Sequence, residues 1–175
     1  MFATGGKYDM KDNSDTPDTL DVHYRYPGFT HIYTVRRGHY NYGSPRRSHG
    51  MEFHGTGGIL TLDRGGWVVT AEGERTKDER HGGSEQHFAH VKNFLHCLRN
   101  RSEKTASDIE DMHHATVTAH LANISYKLKR KVYWDPASER CYRGYDAAGK
   151  KYLNEDGEAN AYLFREPRKP WSLNL

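Results

Sequence analysis

The stretch Leu20-Asp21-Val22-His23-Tyr24-Arg25-Tyr26-Pro27-Gly28 decides how this chain is read. Leu20, Val22, Tyr24 and Tyr26 alternate with Asp21, His23 and Arg25, the period-two pattern of a strand with one buried face. Pro27-Gly28 supplies a tight turn, and Thr30 to Arg37 follows as a second extended run. The loop from Gly38 to Gly50 is rich in Gly, Ser, Pro and Arg. Beyond it, Met51 to His54, Ile59 to Asp63 and Trp67 to Ala71 read as three short strands. Gly55-Thr56-Gly57-Gly58 and Asp63-Arg64-Gly65-Gly66 join them, and both suit hairpins. Short strands at this spacing predict an antiparallel meander.

After a polar loop from Glu72 to Gly83 the period changes. Ser84 is placed to cap a helix running to about Arg101, with Phe88, Val91, Phe94, Leu95 and Leu98 on one face. Thr105 to Asp108 opens a longer helix, with Ser107 as its cap and Glu110 in the capping-box position. Its stripe is Ile109, Met112, Thr116 or Val117, His120 or Leu121, Ile124 and Leu128. Val132 to Trp134 reads as a short strand ending at Asp135-Pro136. What remains is a Gly- and charge-rich excursion, a short helix near Glu158 to Phe164, and a tail ending Pro170-Trp171. Strands first and helices after predict an α+β fold: an open, mostly antiparallel sheet with helices packed on one face. Its second face must then be wet, paired with a partner, or lining a site.

Composition narrows the function classes. At 175 residues the chain is the length of one domain, and 12 tyrosines with 17 glycines favour strands and tight turns. Mean hydropathy is −0.98, no apolar run reaches membrane-spanning length, and the start MFATGGKYDM lacks a signal-peptide core. A cytoplasmic protein with no membrane partner is expected. The balance of 26 basic and 23 acidic residues leaves a net charge of +3, too little to argue for nucleic acid. Arg36-Arg37, Arg46-Arg47 and the run from Lys127 to Lys131 read as solvated edges and helix ends. Cys97 and Cys141 form neither a disulfide framework nor a CxxC pair, and Cys97 reads as a small buried hydrophobe.

Several motifs are tested and fail. Gly55-Thr56-Gly57-Gly58 is no dinucleotide fingerprint, because Leu60 holds the third glycine position and a strand follows where a helix N-terminus is needed. No P-loop, GxSxG elbow or HExxH is present. Among 12 histidines, His87 with His90, and His113, His114 with His120, lie at helical spacings, yet no acidic residue completes a ligand set. No metal is expected. His120 and Asn123 interrupt an apolar stripe, so they are expected to tie the helix to the sheet by hydrogen bonds, with substrate contact as the lesser reading. Arg36-Arg37-Gly38-His39-Tyr40-Asn41-Tyr42 interleaves guanidinium, imidazole, amide and phenol groups. Such groups suit a polyhydroxylated ligand, and a plain surface loop is the competing reading.

A family resemblance joins these pieces. Gly5-Gly6-Lys7-Tyr8, Asp15-Thr16-Pro17-Asp18-Thr19 and Phe53 to Arg64 are followed in order by His87-Phe88 and Asn93-Phe94-Leu95. Then come Asp108-Ile109-Glu110 through His113, His120-Leu121-Ala122-Asn123-Ile124, Trp134-Asp135-Pro136, Glu158-Ala159-Asn160 and Arg168-Lys169-Pro170-Trp171. Together, across nearly the whole chain, they resemble the bacterial-type C-terminal domain of the Gfo/Idh/MocA oxidoreductases. The resemblance implies one domain over residues 1–175, beginning inside that domain at its first strand. It implies the substrate-side and oligomerisation part of an NAD(P)-dependent enzyme acting on sugars, inositols or related polyols. The family's Rossmann half and its proton-handling residues match nothing in this sequence, so no catalytic residue is carried over. NAD or NADP is implied for a full-length enzyme, and none is expected to bind this chain alone. Partners are then a sugar-like small molecule and either a second copy through the open sheet face or a separate nucleotide-binding domain. Arg36, Arg37, His39, Tyr40, Asn41, His113 and His120 are the substrate-contact candidates. The alternative is a stand-alone or split-partner carbohydrate-binding or assembly module without redox activity.

Overall fold

The structure is a computed structural model that describes residues 1–37, 49–71, 79–82 and 86–172. Its elements are β1 (Phe2–Gly6), β2 (Thr19–Tyr26), β3 (Phe29–Arg36), β4 (Met51–Gly55), β5 (Gly58–Asp63), β6 (Gly66–Ala71), β7 (Glu79–Gly82), α1 (Gln86–Arg99), α2 (Ile109–Leu128), β8 (Tyr133–Asp135), β9 (Arg140–Asp146), β10 (Lys151–Glu155) and α3 (Gly157–Asn160). The fold is α+β, with its antiparallel strands divided among three small sheets. The chain forms two compact units, residues 1–38 with 113–175, and residues 39–112.

In the first unit, Pro27-Gly28 closes the β2–β3 hairpin on the pair Tyr26 and Phe29, with Gly28 in the left-handed region at φ 91°. β1 adds to the other edge of β2, giving the order β1-β2-β3. Leu20, Val22 and Tyr24 turn inward, as their alternation predicts, and pack with Ala3 against Ala122 of α2. A neighbouring part of α2, Leu121 and Ile124, packs with Val132, Cys141 and Ala159. One helix therefore supplies two clusters, one against β1–β2 and one against the β8–β9 region. Each fully buried aliphatic side chain contributes about 1.5–3 kcal/mol, so these few residues carry most of the unit's hydrophobic stabilisation. Ser125, fully buried, accepts from the Ala3 N–H at 3.0 Å and donates to the Arg130 carbonyl at 2.8 Å.

The second unit holds the sheet β4-β5-β6-β7 and α1. Gly55-Thr56-Gly57-Gly58 is the β4–β5 turn, and it leads into a strand. Gly58 stands at φ 146°, and a Cβ there would lie 2.3 Å from the Thr70 carbonyl oxygen, so glycine is required. Of the described residues in this unit, only Cys97 is buried.

The structure corrects several expectations. β1 was not legible, since Phe-Ala-Thr-Gly-Gly has no alternation. Residues 79–82 of the expected polar loop form β7, held by backbone pairing with β6 that needs no apolar side chain. The excursion after Asp135-Pro136 contains the β9–β10 hairpin. The last helix is shorter than expected and ends at Asn160. Ser107 does not cap α2: Asp108 does, accepting from the Glu110 N–H at 3.0 Å. The stripe Phe88, Val91, Phe94, Leu95 and Leu98 does not pack on a sheet but is exposed. The reason is local, because α1 is anchored through a different face. Asn93 accepts from the Ala106 N–H at 2.8 Å, and Cys97 donates to the Lys104 carbonyl at 3.4 Å. The cap expected at Ser84 lies outside the described residues.

Candidate functional site

Register decides what the two faces of the β2–β3 hairpin present. Cross-strand partners share a face, so Thr19 with Arg36, Asp21 with Thr34, His23 with Ile32 and Arg25 with Thr30 lie opposite the buried Leu20, Val22 and Tyr24. That second face is free of α2 and carries donors and acceptors in close array. Arg36 Nη2 donates to both Asp21 oxygens, at 2.8 and 2.7 Å, and the Thr34 hydroxyl donates to Oδ1 at 3.0 Å. The Arg36 guanidinium and the Thr34 hydroxyl hold the Asp21 carboxyl below the usual carboxylate range. His23 and Arg25 stand exposed beside this pair.

On the helix-bearing face an aromatic ladder runs toward the turn. Tyr24 stacks on His31 at 5.1 Å between centroids, and Tyr26 stacks on Phe29 at 4.6 Å. Tyr24 donates its hydroxyl to the Thr118 carbonyl at 2.9 Å, and burial pushes its phenol well above the ordinary range. A second aromatic group lies on β9–β10, where Tyr152 meets Tyr142 at 5.1 Å and Tyr145 at 5.0 Å. Ser138 links it to acid, donating to Asp135 at 2.7 Å and lying 3.4 Å from the Tyr142 hydroxyl.

The substrate-contact candidates fare differently. Arg36 joins the polar face, but its guanidinium is already engaged by Asp21 and by the Leu20 and Val35 carbonyls, at 3.2 and 2.8 Å. Arg37 has an exposed side chain, and its N–H donates to the Asp18 carbonyl at 2.9 Å. His39, Tyr40 and Asn41 lie outside the described residues. His113 is exposed on α2, 2.7 Å from a Glu139 oxygen and 5.8 Å between centroids from His114. No hydrogen bond among the described residues joins Arg36 to His113 or His120. The expectation that His120 and Asn123 tie the helix to the sheet is corrected: His120 is exposed, and the tie is made by Ser125 and by Tyr24. A buried hydroxyl next to a small-residue helix face satisfies a strand N–H without spending volume on an imidazole.

Asp21 was missed as a site residue, although the turn at Pro27-Gly28 sets the pairing that brings it beside Arg36 and Thr34. The β9–β10 tyrosines were missed because their strands were. Among the described residues no group of three or more His, Cys, Asp or Glu side chains is placed to hold a metal. The glycine turn before β5 does not fit a dinucleotide, since no helix N-terminus follows it. No helix among the described residues is long and apolar enough to cross a membrane. No family model matches the chain, and no curated protein and no solved structure is significantly similar to it.

Proposed function

We propose that this chain works in the cytoplasm as the substrate-side and assembly part of a Gfo/Idh/MocA-type, NAD(P)-dependent oxidoreductase acting on sugars, inositols or related polyols. It contributes the wall of a polyol pocket, and hydride transfer belongs to a nucleotide-binding half. The observation that carries this reading is the face of β2–β3 opposite α2, where His23, Arg25, Thr30 and Thr34 stand beside an Asp21 carboxylate held in place by Arg36. A ring of hydroxyls is recognised by such arrays, with carboxylates accepting and guanidinium or imidazole donating. The Asp21–Arg36 pair is preorganised, so a ligand meets a rigid acceptor with little ordering left to do.

Thermal denaturation against a panel of sugars, inositols and sugar acids tests the proposal. A ligand at about 100 times its Kd stabilises by about 2.7 kcal/mol, a shift of several degrees. The double substitution His23→Ala with Arg25→Ala, on exposed side chains, is expected to abolish that shift while leaving the unliganded midpoint in place. No shift with any polyol would sink the polyol assignment. NADH titration is expected to leave the cofactor's fluorescence unchanged, and micromolar binding would overturn the division of labour.

A further inference from the structure

Strand β3 is an edge of its sheet, and among the described residues nothing pairs with its outer side. It is eight residues long, Phe-Thr-His-Ile-Tyr-Thr-Val-Arg, and all but His31 and Arg36 are β-branched or aromatic. Its register with β2 is unbroken from Phe29 to Arg36. The devices that blunt an edge strand, a lysine, a proline or a bulge, are missing from it. Its one formal charge, Arg36, is matched by Asp21. Ile32 is 61% exposed and Phe29 60%.

We infer that β3 pairs antiparallel with β3 of a second copy, making a continuous six-stranded sheet. The register follows from the hairpin. A two-residue turn closed by Tyr26 and Phe29 commits every second β3 residue, counted from Phe29, to bonding with β2. Thr30, Ile32 and Thr34 therefore turn their N–H and C=O groups outward. A two-fold axis perpendicular to the sheet, placed at Ile32, pairs these outward groups with one another. Ile32 then meets Ile32 of the second copy, and Thr30 meets Thr34 of the second copy, all on the helix-free face. On the other face Phe29 meets Val35 of the second copy, and His31 meets Tyr33 of the second copy. Every pair is β-branched or aromatic with a matched neighbour, and no like charges stand opposite each other.

An eight-residue strand is about 27 Å long. Pairing along one strand edge buries less than the roughly 800 Å2 per copy of a standard interface, so the dimer is weak and concentration-dependent. The inference rests on β3 alone and stands whether or not the chain works beside a nucleotide-binding half. Sedimentation velocity over a range of concentrations reads it. Wild type is expected to pass from monomer to dimer, and Ile32→Lys, which sets two ammonium groups at the axis, to weaken the dimer at least tenfold. Oxidative cross-linking reads the register independently. Ile32→Cys is expected to give a covalent dimer, since directly opposed Cα atoms lie within disulfide reach. Thr34→Cys, offset by four residues from its own copy, is expected to give none. Wild type that stays monomeric throughout, a dimer indifferent to Ile32→Lys, or equal cross-linking of the two cysteine variants would each overturn the inference. A polyol shift without dimerisation would leave the proposed function standing and remove only this interface.

Discussion

The carboxylate of Asp18 receives backbone N–H groups from Tyr8, Asp9 and Met10, the shortest contacts being 3.0, 2.9 and 2.9 Å. Three donors converging on one buried anion hold its carboxyl well below the usual range and fix the segment between β1 and β2. The folded-state value is depressed, so the unfolded chain takes up the proton more readily. Stability from Asp18 is then fully present above the unfolded value of about 4 and is lost progressively as pH falls from there through the much lower folded-state value. Asp18→Ala is expected to lower the urea midpoint clearly at pH 7 and still substantially at pH 3, because the depressed folded-state carboxyl remains ionised there. Cys141 is the opposite case, because burial pushes its thiol up to about 11. At pH 8 only about one molecule in a thousand carries the thiolate, so a disulfide reagent should label this cysteine in urea and hardly at all in the native protein. Rapid native labelling at Cys141 would show that its cluster opens. Neither role shows in the sequence, where Asp18 is one of many acids and Cys141 sits in a charged stretch.

Elements divide by how their stability arises. β2 and β3 were legible because alternation and a Pro-Gly turn both specify them. β9 and β10 were not: Tyr142-Arg143-Gly144-Tyr145 has no clean period, and Lys150 and Asn154 adopt positive φ, 48° and 55°. That hairpin is held from outside its own sequence. Asp156 caps α3 by accepting from the Ala159 N–H at 3.2 Å, and its own N–H donates to the Cys141 carbonyl at 2.8 Å. Arg130 binds both Asp156 oxygens and also reaches Glu158 at 3.0 Å, while Asn160 accepts from the Cys141 N–H at 2.7 Å. Removing Asp156 leaves the buried Ala159 N–H without its acceptor and the half-buried Arg130 with Glu158 alone. Asp156→Ala is therefore expected to destabilise by about 2–4 kcal/mol in urea titration, and the doubly substituted Asp156→Ala, Arg130→Met chain by less than the sum. Equal, additive losses would mean that the pair does not act as a unit. In α2, Ile124→Ala is expected to cost about 2–4 kcal/mol, and the same change at the exposed Ile109 well under 1.

At the scale of the whole molecule, burial is unevenly shared between the two units. Unit one holds both hydrophobic clusters, whereas Cys97 is the single buried residue described in unit two. Local opening follows buried contact, so amides of β2 and the C-terminal half of α2 are expected to exchange at least tenfold more slowly than those of β4–β6 and α1. Uniform protection across both units would contradict this. The sequence by itself determined the α+β class, the β2–β3 and β4–β6 hairpins and the extents of α1 and α2, to within two or three residues. Those features depend on local period, turn residues and backbone hydrogen bonds that close within each segment. Tertiary structure alone decided that α2 serves two clusters, that Ser125 rather than His120 ties helix to strand, and that the α1 stripe lies exposed. It also decided that Arg36 faces Asp21 across a strand. These depend on which distant surfaces meet, and an amphipathic pattern states only that a face is available for burial, never against what.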